Sequence, residues 1–133
     1  MTRNGSAPVA DVTDVASVRI LSVEDILSAE DLPTETVPTP EWGGAVLIRG
    51  FTKAREFAIR QEAMTADGMD EERFEMLLFI NGVIDPQFTV DQLEVLKEKS
   101  GAVIDRVLTR IMDISGLSKE AQERAKARFP EGR

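Results

Sequence analysis

Between Gly101 and Ile114 the apolar residues return every three or four positions. Val103, Ile104, Val107, Leu108, Ile111 and Ile114 form one stripe, with Asp105, Arg106, Arg110 and Asp113 away from it. That period predicts an amphipathic helix, which Gly116 ends. Upstream, Met76 to Ile80 is apolar on every side, preceded by the acidic turn Asp70-Glu71-Glu72. This predicts a deeply buried helix whose first turn complements the helix dipole. "MLLFI-NG-VID" also carries a hairpin signal, but the second arm has three residues before Pro86, so a helix stopped by Asn81 and Gly82 is preferred.

The remaining segments are weaker. Ser22, with Asp25 at the reciprocal capping position, opens a short helix placing Val23, Ile26 and Leu27 on one face, and Pro33 closes it. Thr52 caps a helix to about Ala66 with Ala54, Phe57, Ala58 and Gln61 on one side, broken by Asp67-Gly68. Thr89 and Gln92 form a capping box for a helix burying Val90, Leu93 and Leu96, with Phe88 as its staple. Ser118 caps a polar last helix whose apolar line is Leu117, Ala121 and Ala125. Glu120 and Arg124 stand there in the stabilising i, i+4 order.

"PTPEWGGAVLIRG" breaks the helical pattern. Pro38 and Pro40 confine any strand to an edge, and Gly43-Gly44 suits a tight turn. Val46 and Ile48 share one face of the following arm, Leu47 and Arg49 the other. The prediction is a mainly α fold: a single domain over 19–133 of five to six helices, with a two-stranded hairpin over 35–50 and a flexible leader over 1–18. Trp42 fits two roles, a lid pressing the ribbon on the helices or an interface anchor.

Composition then removes whole classes of function. The chain has 133 residues with 42% hydrophobic but only 5% aromatic content, so the core is aliphatic. It contains no histidine, cysteine or tyrosine. Ser–His triads, thiol nucleophiles and His- or Cys-ligated metals are therefore excluded. No catalytic residue, cofactor site or metal site is read, and the chain is not expected to be an enzyme. The acidic cluster Asp67, Asp70, Glu71 and Glu72 lacks the EF-hand spacing and is accounted for as a solvated helix start. A net charge of −8 disfavours nucleic acid. No apolar run approaches the roughly 18–20 residues that cross a membrane, and nothing of signal-peptide type opens the chain. A soluble cytoplasmic protein is the expectation.

Certain motifs, in their order, carry a resemblance. "PEWGG", the arm "VLIRG", "DPQFT", a helix ending in "ISGLS" and the final "SKEAQERAKARF" resemble the tail assembly chaperones of long-tailed bacteriophages and prophages, from about Ser22 to Phe129. The resemblance implies a non-enzymatic assembly factor in the host bacterial cytoplasm that holds the tape measure protein soluble and is absent from the virion. It also implies the tail tube protein and a frameshift-extended form of the chain as further partners. On that reading the client would meet Trp42, Val46, Ile48 and Phe51 on the ribbon, with Phe129 as another exposed contact. A structural tail or head–tail connector protein, and a small adaptor or regulator unrelated to phage, remain open alternatives.

Overall fold

The apolar run at Met76 to Ile80 organises the fold, and all five side chains are buried. In the computed structural model, which describes residues 18–128, the run lies in a helix over Glu71–Gly82. We number the helices α1 (Val23–Ser28), α2 (Lys53–Ala63), α3 (Glu71–Gly82), α4 (Leu93–Leu96), α5 (Gly101–Ile114) and α6 (Lys119–Arg128). The strands are β1 (Thr34–Thr39), β2 (Gly44–Arg49), β3 (Met64–Thr65), β4 (Gly68–Met69) and β5 (Val83–Asp85). The fold is mainly α. Residues Leu32–Ala121 form one compact unit, inside the 19–133 read from sequence; α1 and most of α6 belong to a second unit and are described separately. The leader assigned to 1–18 lies outside the described residues except for Val18.

An all-round apolar helix needs neighbours on every side. α3 packs against α2, α5 and β5, and α5 in turn packs on β1 and β2. The core so formed includes Phe79, Leu77, Ile59, Ile111, Val107, Ile48, Val37 and Val83. The α5 stripe is buried as the period predicts, from Val103 through Ile111, with Ile114 half-buried. α3 and α5 approach closely at Gly82, where a Cβ would stand 2.6–2.9 Å from the Ile111 side chain.

The ribbon is larger than the hairpin expected over 35–50. β1 and β2 pair antiparallel from Thr34↔Arg49 to Thr39↔Gly44, and β5 adds a third strand on the far side of β2. Helix α3 runs through Asn81 and Gly82, so "VID" pairs with β2 and not with the segment before it. This resolves the ambiguity at "MLLFINGVID": both the helix and a strand are present, without an Asn-Gly hairpin turn. The β1–β2 connection is a 3-10 turn over Pro40–Trp42 with Gly43 at φ +86°, while Gly44 already belongs to β2. Pro38 sits in the edge strand, where its missing N–H breaks no pairing within the sheet.

Three helices differ from the sequence expectation. α2 ends at Ala63, not Ala66, because the Asp67-Gly68 turn draws Met64–Thr65 into a small ribbon with Gly68–Met69. Its buried side is Glu56, Ile59 and Ala63; Phe57 points outward beneath the Lys53 ammonium, 5.7 Å from the ring centroid. Glu56 tolerates burial because Lys53 Nζ lies 3.1 Å from its carboxylate. The helix expected after Thr89 shortens to a 3-10 turn over Val90–Gln92 followed by α4. Leu93 and Leu96 are buried there, but Val90 is exposed. Finally, α1 ends at Ser28, short of the Leu32 limit that Pro33 sets, and buries none of its residues.

The close approach at Gly82 generates the first prediction. Gly82→Ala should lower stability by about 1–3 kcal/mol, since Ile111 is itself fully enclosed and cannot retreat freely. Urea unfolding of Gly82→Ala, Ile111→Ala and the double variant should give a double-variant loss well below the sum of the singles. Additive losses would contradict the contact.

Candidate partner-binding surface

The ribbon residues expected to meet a partner are mostly inside. Ile48 is 0%, Val46 5% and Phe51 9% exposed. The reason is the pleat: Val46 and Ile48 point to the same face, and that face lies on α5. The proposed contacts Val46, Ile48 and Phe51 are therefore corrected to core residues. Trp42 is half-buried and packed against the core, as the lid role has it. Phe88, read as core, is half-buried, with its ring 5.7 Å from that of Phe79. Phe129 lies outside the described residues.

The outer side of α5 fixes the ribbon in place. Arg106 and Arg110, set on the polar side by the period, are one helical turn apart and both reach ribbon carboxylates. Arg110 Nε and Nη2 donate to Glu35 Oε2 and Oε1 at 2.7 and 2.8 Å. Arg106 Nη1 and Nη2 donate to Glu41 Oε1 and Oε2 at 2.9 and 2.6 Å, and Nη1 also reaches the Pro38 carbonyl at 3.3 Å. Both pairs are two-pronged, the geometry in which arginine adds orientation as well as attraction. At the other end of the ribbon, the Phe51 N–H donates to Ser115 Oγ at 3.3 Å and the Gly50 N–H to the Pro33 carbonyl at 2.9 Å. Sequence reasoning missed the two arginine clamps. The i, i+4 spacing of Arg106 and Arg110 with no acidic residue four positions before either was the available signal.

These contacts tune the carboxylates. Hydrogen bonds from Arg106, followed by one from its own backbone, lower the Glu41 carboxyl from 4.5 to about 2. Hydrogen bonds from Arg110 lower Glu35 as well, against the opposing effect of desolvation. The acidic cluster is spent differently. Asp70 Oδ1 accepts the Arg73 N–H at the start of α3, and Glu72 lies 3.4 Å from Lys97 Nζ. No group of three or more carboxylates is assembled for a metal ion among the described residues.

The apolar surface that is exposed lies elsewhere. In and before α1, Ile20 is 91% and Leu27 80% exposed, with Leu21, Val23 and Ile26 also open. Within Leu32–Ala121 a groove of about 670 Å³ lies beside α3 and α5 and includes Phe74, Leu78, Leu108 and Met112.

Two expectations follow. Ile48→Asp puts a carboxylate into the core and should cost ~3–5 kcal/mol and much of the cooperative helical circular dichroism signal; an unchanged melt would contradict the burial. Because the folded pKa of Glu41 lies below its ordinary value, the Arg106 pair stabilises fully above about pH 4.5. That contribution fades as pH falls toward about 2. An NMR titration should find Glu41 ionised well below pH 4, and Arg106→Ala should return it toward 4.5. A normal Glu41 midpoint in the wild type would mean that the clamp is open in solution.

Comparison with known proteins gives little overlap. No family model matches the chain, and no curated protein matches it. Among solved structures, that of the bacteriophage HK97 tail assembly chaperone is similar at 26% identity, covering 69% of this chain and 95% of that one, with a TM-score of 0.46.

Proposed function

We propose that the protein is a phage tail assembly chaperone that binds the tape measure protein and keeps it soluble until the tail tube forms. It acts without catalysis, in the host bacterial cytoplasm, and is absent from the finished particle. One observation carries this reading: three of the five segments whose motifs resemble that family, the ribbon pieces "PEWGG" and "VLIRG" and the helix ending in "ISGLS", are joined in space. "PEWGG" and its flanking arms meet the helix of "GAVIDRVLTRIMDISGLS" through Glu35–Arg110, Glu41–Arg106 and Phe51–Ser115. Motifs scattered along a chain by chance have no reason to converge on one clamp. Open apolar surface on a strongly acidic protein is also what a soluble holder of apolar helices needs.

The test is co-expression of the full chain with the tape measure protein of the same phage. The client should move into the soluble fraction and co-purify with the tagged chain. An insoluble client without a complex would overturn the proposal. Recovery of the chain from purified particles would favour a structural tail protein instead.

A further inference from the structure

The groove beside α3 and α5 is built from two matching helical seams. On α3, Glu71, Phe74, Glu75 and Leu78 follow the i, i+3, i+4, i+7 spacing of one face. On α5, Asp105, Leu108, Thr109 and Met112 repeat it. Each seam opens with a carboxylate and carries two large apolar side chains, Phe74 and Leu78 on α3 and Leu108 and Met112 on α5. Leu117, in the turn before α6, completes an apolar floor whose members Phe74, Met112 and Leu117 are only half-buried. Glu120 adds to the acidic rim, and Lys119 is the one basic lining residue. Glu71, Glu75 and Asp105 are exposed, and none forms an ion pair among the described residues.

We propose that this groove seats one basic amphipathic helix of a protein partner. The partner's apolar residues at i, i+3 or i+4, and i+7 lie on the floor, and its flanking Lys or Arg side chains meet the acidic rim. This rests on the client-binding role proposed above and gives that role a surface. Charge selects the occupant. The chain's own exposed apolar segment at α1 carries Glu24, Asp25, Glu30 and Asp31, so a second copy offering it would meet a rim of its own sign. α6 is basic, but the apolar side chains within it are the alanines Ala121, Ala125 and Ala127, too small to fill a floor lined by Phe, Leu and Met. A helix with large apolar residues and basic flanks satisfies both requirements.

The probes are a synthetic Leu/Lys amphipathic helix and its Leu/Glu twin, titrated by fluorescence anisotropy against the full-length protein. The basic helix should bind, and the acidic twin should not. Glu75→Lys with Asp105→Lys, both at exposed positions, should weaken the basic helix by about tenfold or more. Thr109→Trp, also exposed, should block the floor without reversing charge. Circular dichroism confirms that each variant is folded. Equal binding of the two peptides, or unaltered binding to both variants, overturns the proposal. In co-expression, a double variant that leaves the client insoluble, where the wild type rescues it, supports the groove. A double variant that rescues as well as the wild type overturns the groove and leaves the chaperone role standing. Should the wild type itself fail to rescue, the chaperone role falls and the peptide titration alone decides the groove.

Discussion

Everything in this fold follows from the need to cover α3 on all sides. Five consecutive buried residues from Met76 to Ile80 have no polar face to turn toward water, so α2, α5 and a sheet must enclose them. The enclosure tightens at the end of α3. Ile111 fills the space a side chain at Gly82 would occupy, and Val83 continues directly into the sheet. One segment thus serves as the centre of the helical layer and as the source of the third strand. A small chain with few aromatic residues has little redundancy in such a core, so each aliphatic contact carries a large share of the cohesion.

The second constraint is orientation. Burial of Val46 and Ile48 holds the ribbon on α5 but leaves its rotation weakly determined, because aliphatic contact is non-directional. The two arginine forks supply the direction. Arg110 grips Glu35 in β1, while Arg106 grips Glu41 in the turn and the Pro38 carbonyl in β1. Pairs this exposed contribute modestly to stability. Their two-pronged geometry adds orientation, fixing the direction of each contact as well as its distance.

Sequence alone exposed the strongest periodic elements. The α5 stripe, the buried α3 run with its acidic start, and the caps at Ser22, Thr52 and Ser118 were legible because each depends on residues within one or two turns. What was lost depends on long-range partners. β5 is three residues long and exists through its pairing with β2, some 35 positions earlier in the chain. Periodicity alone does not mark Glu56 as a core position, because burial of its carboxylate depends on the Lys53 ammonium beside it. The ribbon contacts failed for a related reason. Alternation shows that Val46 and Ile48 share a face, but only packing decides whether that face looks at solvent or at a helix.

The placement of proline in the sheet has a bearing on how this protein can recognise anything at all. One outer strand, β1, carries Pro38, and the other, β5, has three residues and is followed by Pro86. Neither border presents a long run of free main-chain donors and acceptors onto which a foreign strand could zip. Strand addition, the main-chain pairing by which exposed edges join aggregates, is disfavoured at both borders. In the role proposed above, recognition through side chains would let the protein stand beside an aggregation-prone chain without being drawn into the aggregate by edge pairing.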